Sequence, residues 1–195
     1  MGTRDEVIKF TDIATQELQS FARNMDMAAL EQAKALILEA EAAHHRVHVT
    51  GVGKPGHVAG YIASLLSSTG TPAYELHGSS GQVLAGDVVI AISNSGETSE
   101  LKATVETLKS NGAKIIAVSG NTRSWLAKQG DVALFAGVKQ EGDAMNKPPR
   151  ASILAEILLL QSLSILLQNA KGLNPQQYVK WHPGGALGAS IKGGK

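Results

Sequence analysis

The stretch that decides the fold is DVVIAISNSGETSE, residues 87–100. Its apolar part, residues 88–92, is almost entirely β-branched, which predicts a strand buried on both faces of a parallel sheet. Polar residues begin at Ser93, and apolar residues at helical spacing follow at Leu101 and Val105. The pattern therefore predicts a strand, a turn and a helix, with the turn at the carboxyl end of the strand.

The predicted turn is rich in hydrogen-bonding side chains. It holds Ser93, Asn94, Ser95, Gly96 and Thr98. Hydroxyl donors and free backbone N–H groups at a helix N-terminus form a site in which an anion such as a phosphate fits. A helix cap is the alternative, since Ser and Thr are usual capping residues. Three hydroxyls exceed what a cap needs, so we favour the phosphate site.

The rest of the chain alternates strands with helices. Further strands are predicted at residues 47–52, 73–76, 114–119 and 132–138. This alternation is typical of a three-layer, doubly wound α/β sandwich around a five-stranded parallel sheet. Helices in residues 1–45 are expected to cap the sheet or to cross a partner subunit. Residues 46–190 are then the domain, and residues 191–195 a tail.

A glycine-rich loop, VTGVGKPGH, follows the first predicted strand at residues 49–57. Its glycines resemble a nucleotide-binding turn, but the third comes one position early and no acidic residue stands at the distance that a ribose requires. The lysine is not followed by Ser or Thr, so the loop is no Walker motif either. We expect Lys54 at the loop tip to contact a phosphate or an oxyanion; a solvated lysine is the alternative.

The last third of the chain changes character. Residues 139–150, KQEGDAMNKPPR, predict a polar loop, after which Ser152 is expected to cap a helix over residues 153–168. That helix is apolar almost all round, which predicts burial in the core or at a homodimer interface. His182 stands between a Trp and a Pro-Gly-Gly turn, outside any regular helix. A catalytic His182 and a structural or exposed one both remain open.

Composition excludes several classes of function. A net charge of +1 gives no electrostatic basis for binding nucleic acid or an anionic membrane. The chain has no cysteine, which excludes disulfides and thiol chemistry. The N-terminus lacks the basic start and apolar run of a signal peptide. The longest apolar stretch, residues 153–167, is interrupted by polar residues and is expected to be too short to span a bilayer. We therefore expect a soluble cytoplasmic protein.

Four separated motifs together carry a resemblance to a known family. They are VTGVGKPGH at 49–57, SSTGTP at 67–72, DVVIAISNSGET at 87–98 and HPGGALG at 182–188. In this order they resemble the SIS-domain sugar-phosphate isomerases of the arabinose-5-phosphate isomerase family. The resemblance implies a five-stranded α/β fold, oligomers built from dimers, and interconversion of an aldose phosphate with its ketose phosphate. Larger members carry two regulatory CBS modules after this domain, which we expect this chain to lack.

The resemblance also implies a set of site residues. The catalytic positions fall on Lys54, Glu100, Glu141 and His182, and the substrate or phosphate positions on Gly53, Gly70, Thr71, His77, Ser93, Asn94, Ser95 and Thr98. Isomerisation needs a base between C1 and C2, an acid/base for ring opening, and positive charge for the enediolate. We expect Glu141 to be the base, with Glu100 as the alternative, and Lys54 to stabilise the enediolate. His182 would open the ring.

The same resemblance implies the partners. The expected ligand is a phosphorylated sugar, with no metal and no redox cofactor. We expect a homodimer or a homotetramer, with His182 either in its own chain's site or completing the site of a neighbouring subunit.

Two departures from the family's pattern leave the substrate open. The loop after residues 73–76 is shorter than usual, and His77 matches only the second of two family histidines. After Glu141, several neutral hydroxyl residues are replaced by Lys147 and Arg150. Arabinose 5-phosphate and ribulose 5-phosphate are the leading pair. The alternatives are another pentose or hexulose phosphate, or a non-catalytic module that senses a phosphosugar.

Overall fold

The computed structural model describes residues 2–78 and 80–182. Helices and strands alternate along these residues. The helices are α1 (Thr3–Arg23), α2 (Met27–Ala42), α3 (Lys54–Ser68), α4 (Ser99–Ser110), α5 (Trp125–Gln129), α6 (Ala151–Ala170) and α7 (Pro175–Trp181). The strands are β1 (Val47–Gly51), β2 (Ala73–Glu75), β3 (Val88–Ile92), β4 (Lys114–Ser119) and β5 (Val132–Phe135). The motif residues 183–188 and the tail lie outside the described residues.

The five strands form one parallel sheet in the order β2-β1-β3-β4-β5. The register pairs Gly51 with Ile92, so β1 and β3 end side by side. Strand β2 lies on one side of β1, whereas β3, β4 and β5 follow one another on the other side. The order of the strands therefore reverses between β1 and β3. Ligands of open α/β sheets bind at this switch point, outside the carboxyl ends of the strands.

Helices cover both faces of the sheet, as the sequence predicts for a three-layer fold. Val88, Ile90 and Ile92 pack in one core with residues of α2, α3 and α6. Val89 and Ala91 pack in a second core with residues of α4 and α5. All five are fully buried, because successive strand residues point to opposite, covered faces.

Three local predictions differ from the structure. Lys54 is the first residue of α3 rather than the tip of a loop. Gly53, with φ 67°, takes the N-cap conformation that lets the helix start early. Ser152 is not a cap, because α6 begins at Ala151 with Arg150 at its N-cap. Helix α7 was not predicted, although Asn174 caps it and Pro175 opens it.

The sequence analysis expected the long apolar helix to be too short to span a bilayer, and this expectation differs from the structure. By length and composition α6 could cross a membrane, with a mean hydropathy of 1.7 over 18 residues. Half of that window is buried inside the fold. Its inner face packs against α1, α2 and α3, so α6 is a core helix here.

Candidate active site

The hydroxyl-rich turn after β3 forms a connected group of hydrogen bonds. Ser93 is buried, and its Oγ lies 3.1 Å from Thr98 Oγ1 and 3.5 Å from Ser95 Oγ. The backbone N–H of Gly96 donates to the same oxygen at 3.1 Å. The turn therefore gathers three hydroxyls at the carboxyl end of the central strand.

The last residue of β4 and residues just after it pack against this turn. Gly96 has φ 66°, and a Cβ at this position would overlap Ser124 Oγ. The carbonyl oxygen of Asn94 accepts a hydrogen bond from Gly120 N at 2.9 Å. Ser119 Oγ lies 3.1 Å from Ser124 Oγ. The sequence analysis did not single out Ser119 and Ser124, although Ser119 ends a strand at the same sheet edge.

The N-terminus of α4 begins within this turn. Thr98 is its N-cap residue, but among the described residues its side chain makes no capping hydrogen bond. The hydroxyl bonds Ser93 instead. Within the described part of the chain, Thr98 thus gives the first N–H groups of the helix no side-chain cap, which suits an anion. Glu100 lies exposed in this first turn and accepts a hydrogen bond from Ser99 Oγ at 3.2 Å.

Lys54 lies beyond the neighbouring strand β1, at the start of α3. The turn before it is tight, because a Cβ on Gly51 would come within 2.7 Å of the backbone of Pro55. Lys54 is exposed and makes no ion pair with any residue that the structure describes. It opens onto a cleft of about 600 Å³ with apolar walls, which His57, Tyr61 and Arg150 also line.

Glu141 lies in the loop after β5 and is held by the start of α6. Its side chain is 9% exposed. Oε2 accepts hydrogen bonds from the backbone N–H groups of Arg150 at 2.7 Å and Ser152 at 3.0 Å. Oε1 has no hydrogen-bond partner within residues 2–78 and 80–182. A carboxylate is favoured at a helix N-terminus, and Arg150, whose backbone N–H binds Glu141, also lines the cleft of Lys54.

Three of the residues that the sequence analysis assigned to the site lie elsewhere in this chain. Gly70 and Thr71 precede β2, at the amino edge of the sheet, where Lys171 Nζ donates to Gly70 O at 2.8 Å and to Thr71 Oγ1 at 2.7 Å. Trp181 packs on Gly70, since a Cβ there would lie 3.2 Å from its ring. His182 follows Trp181, and its Nδ1 lies 2.8 Å from Tyr178 O.

The length of α6 shows how far these three residues lie from the rest of the predicted site. It begins beside Glu141 and ends beside Lys171, and its 20 residues extend over about 30 Å. His182, Gly70 and Thr71 are therefore at the opposite end of the chain's own fold from Lys54, Ser93 and Glu141.

The carboxyl edge of the sheet gathers the remaining predicted residues. His77 directly follows the last residues of β2 and is 82% exposed, with Nε2 3.6 Å from Glu75 Oε1. The set at this edge is Gly53, Lys54, His77, Ser93, Asn94, Ser95, Thr98, Glu100 and Glu141. Within the described part of the chain, no group of three or more acidic, His or Cys side chains could hold a metal ion.

One ionisable residue near this edge was not predicted as part of a site. Glu156 lies inside α6, and burial together with the negative charge of Glu141 raises its pKa to about 8. The signal in the sequence was a single carboxylate within an otherwise apolar helix.

The chain is similar in sequence to proteins of known activity. The model of the SIS domain matches residues 42–165. Arabinose 5-phosphate isomerase KdsD of Pseudomonas aeruginosa is 40% identical over 152 residues, which are 75% of this chain and 47% of that protein. KdsD of Escherichia coli K12 is 37% identical over 152 residues, 75% of this chain and 46% of that protein. The chain spans about half the length of these curated relatives.

Solved structures agree with the fold. An Escherichia coli CFT073 protein in complex with arabinose 5-phosphate has a TM-score of 0.82 and 29% identity, over 94% of this chain and 100% of that chain. A putative phosphosugar isomerase involved in capsule formation, from Bacteroides fragilis, has a TM-score of 0.84 and 27% identity, over 93% of this chain and 97% of that chain. Since the domain model covers most of the sequence and these structures share the five-stranded sheet's fold, the chain belongs to the SIS domain family.

Proposed function

We propose that this protein is an aldose–ketose isomerase of a phosphorylated sugar, with arabinose 5-phosphate and ribulose 5-phosphate as the leading pair. The observation that carries the proposal is the arrangement at the switch point, where the hydroxyl turn after β3 lies at the same sheet edge as the buried carboxylate of Glu141. The similarity to proteins named arabinose 5-phosphate isomerase supports this substrate pair.

The phosphate of the sugar would bind in the hydroxyl turn. The hydroxyls of Ser93, Ser95 and Thr98 and the free N–H groups of α4 offer several donors to one anion. Asn94, Gly53 and His77 would border the same ligand, because they lie at the same carboxyl edge. The Ser93 hydroxyl is buried, which favours a tightly held phosphate.

Proton transfer would then fall to Glu141. Its Oε2 is fixed by two backbone N–H groups, and Oε1 is left to remove the proton from C2 of the open-chain aldose. The C1–C2 double bond forms and negative charge develops on O1, which Lys54 would stabilise. Glu141 then returns the proton to C1, the O2 proton passes to O1, and the C2 carbonyl of the ketose forms. Glu100, at the start of α4, is the alternative base.

Ring opening would need a second subunit. Helix α6, about 30 Å long, separates the end of the fold that holds His182 from the end that holds Glu141, so His182 would act in the site of a neighbouring chain. Gly70 and Thr71 lie beside the same end of the molecule and would support the neighbouring site. Exposed apolar side chains on α1 and α6 favour a homodimer or a homotetramer; they include Val7, Ile8, Leu154 and Ile165.

The remaining features of the proposal follow from the family. We take residues 46–190 as the isomerase domain and residues 1–45 as a helical segment that completes its core, because Leu30, Ala33 and Ile37 of α2 are fully buried. The reaction requires no metal and no redox cofactor, and we propose a cytoplasmic location.

The experiment is turnover of arabinose 5-phosphate to ribulose 5-phosphate by the purified protein, beside other pentose and hexulose phosphates. Turnover that disappears in His182→Ala establishes the isomerase and its substrate. Binding of a phosphosugar without turnover of any of these compounds would contradict an isomerase and identify a sensing module.

A further inference from the structure

Helix α6 carries a carboxyl group in a place where carboxylates are rarely found. Glu156 is 0% exposed, and neither of its oxygens has a hydrogen-bond partner among the described residues. One turn earlier, Ser152 is also 0% exposed, and its Oγ likewise finds no partner there. A buried ionised carboxylate without partners is very costly, so Glu156 keeps its proton near neutral pH.

The position of Glu156 directs it toward the candidate base. Side chains four residues apart lie on one helix face, and long side chains lean toward the helix N-terminus. The carboxyl of Glu156 therefore leans toward Ser152, whose backbone N–H donates to Glu141 Oε2 at 3.0 Å. In agreement with this direction, the pKa of Glu156 is raised first by burial and then by the negative charge of Glu141.

The other charged groups on elements packed against α6 include two with partners of their own and two that face the cleft. Glu17 of α1 accepts a hydrogen bond from Lys139 N at 2.9 Å, and Glu41 of α2 pairs with Lys171. Lys54 and His57 of α3 open onto the cleft. The strands present aliphatic side chains to this face. After burial, the charge of Glu141 is the one that raises the pKa of Glu156.

We propose that Glu156 is a positioning residue for Glu141, a buried neutral carboxylic acid that leaves Glu141 as the single negative charge of this pair. The inference rests on the proposed function, in which Glu141 moves the substrate proton. Loss of the Glu156 proton adds a second negative charge next to Glu141, and the base then loses its single-charge environment. The protonated form of Glu156 is therefore the active one, and its ionisation sets the alkaline limit of turnover.

The test compares the pH profiles of kcat and KM for the wild-type protein, Glu156→Gln and Glu156→Met between pH 6 and pH 10. We expect wild-type kcat to fall through about pH 8, to about a tenth of its maximum one pH unit above. Both variants should keep their activity past that point, because neither can ionise. Glu106→Gln, the same change at an exposed site of α4, is the matched control and should keep the wild-type profile. Identical alkaline limbs in the wild type and both Glu156 variants would overturn the proposal.

A second measurement separates this proposal from the proposed function. The titration of the Glu156 carboxyl is followed by 13C NMR in the wild type and in Glu141→Gln. We expect the pKa of Glu156 to fall in the variant, since the neighbouring negative charge is gone. An unchanged pKa would overturn the coupling. Absence of turnover in every protein would refute the isomerase, while this titration would still decide whether the two residues are coupled.

Discussion

The backbone N–H of Ser152 donates to Glu141 Oε2 at 3.0 Å, and this hydrogen bond joins the loop after β5 to the first turn of α6. Arg150 N adds a second bond to the same oxygen at 2.7 Å. One carboxylate oxygen is thereby fixed by the main chain and the other remains available. A general base needs this combination of a fixed position and a free lone pair.

Substitution Glu141→Gln should abolish most of the turnover without unfolding the protein. The amide oxygen of Gln can still accept from Arg150 N and Ser152 N, but the side chain cannot take up a proton. We expect kcat to fall by about 10²- to 10⁴-fold, which is the usual contribution of a general base. Steady-state kinetics on arabinose 5-phosphate measures it. A larger loss in Glu100→Gln than in Glu141→Gln would identify Glu100 as the base.

Substitution Ser93→Ala should weaken binding of the phosphate group. The variant loses the hydroxyl that lies 3.1 Å from Thr98 Oγ1 and that accepts from Gly96 N, so the turn loses both a donor and its internal order. We expect the Kd for the sugar phosphate to rise about tenfold, equivalent to about 1.4 kcal/mol. Isothermal titration calorimetry measures the Kd. Ser110→Ala, at the exposed far end of α4, is the control and should bind as the wild type does.

Substitution Gly96→Ala should destabilise the fold as well as the turn. Gly96 has φ 66°, a left-handed conformation, and an added Cβ would overlap Ser124 Oγ. We expect the free energy of unfolding to fall by about 1–3 kcal/mol, measured by urea denaturation. Gly81→Ala is the control, because a Cβ there would meet no atom of the described residues within 4 Å. Equal stabilities of the two variants would contradict this account of the turn.

Strands that are marked by a local apolar run were predicted well from the sequence. The apolar runs of β3 and β4 coincide with the strands in the structure, because a strand covered on both faces needs no polar residue. The bonds of Glu141 could not be predicted in this way. They join a loop to a helix start eleven residues later, and their geometry depends on where the sheet ends and α6 begins.

The location of His182 also could not be predicted from local sequence patterns. The sequence analysis grouped it with Lys54 and Glu141 through a resemblance, without the direction in which α6 runs. The structure supplies that direction, from Glu141 at one end to Lys171 at the other. The length of one helix thus decides that His182 and Glu141 of one chain are far apart.

The stability of the protein should depend on pH through Glu156. Its pKa is about 8 in the folded state and 4.5 as the ordinary value, so the folded state holds the proton more tightly. Stability from this group is full below pH 4.5, decreases between pH 4.5 and pH 8, and stays low above pH 8. The total is of order 4–5 kcal/mol at 1.36 kcal/mol per pH unit. We expect Glu156→Gln to remove this decline in urea denaturation measured from pH 5 to pH 9. Parallel curves for the two proteins would refute it.

Two inactive variants should restore activity when they are combined. In a mixed dimer of Glu141→Gln and His182→Ala chains, one of the two shared sites holds both wild-type residues, since each site takes Glu141 from one chain and His182 from the other. Random assortment of equal amounts makes half of the dimers mixed, so we expect about a quarter of the wild-type activity. Turnover is measured after the chains are unfolded together and refolded, with each variant refolded alone as the control. If His182 served the site of its own chain, every site in the mixture would lack one residue and no activity would return.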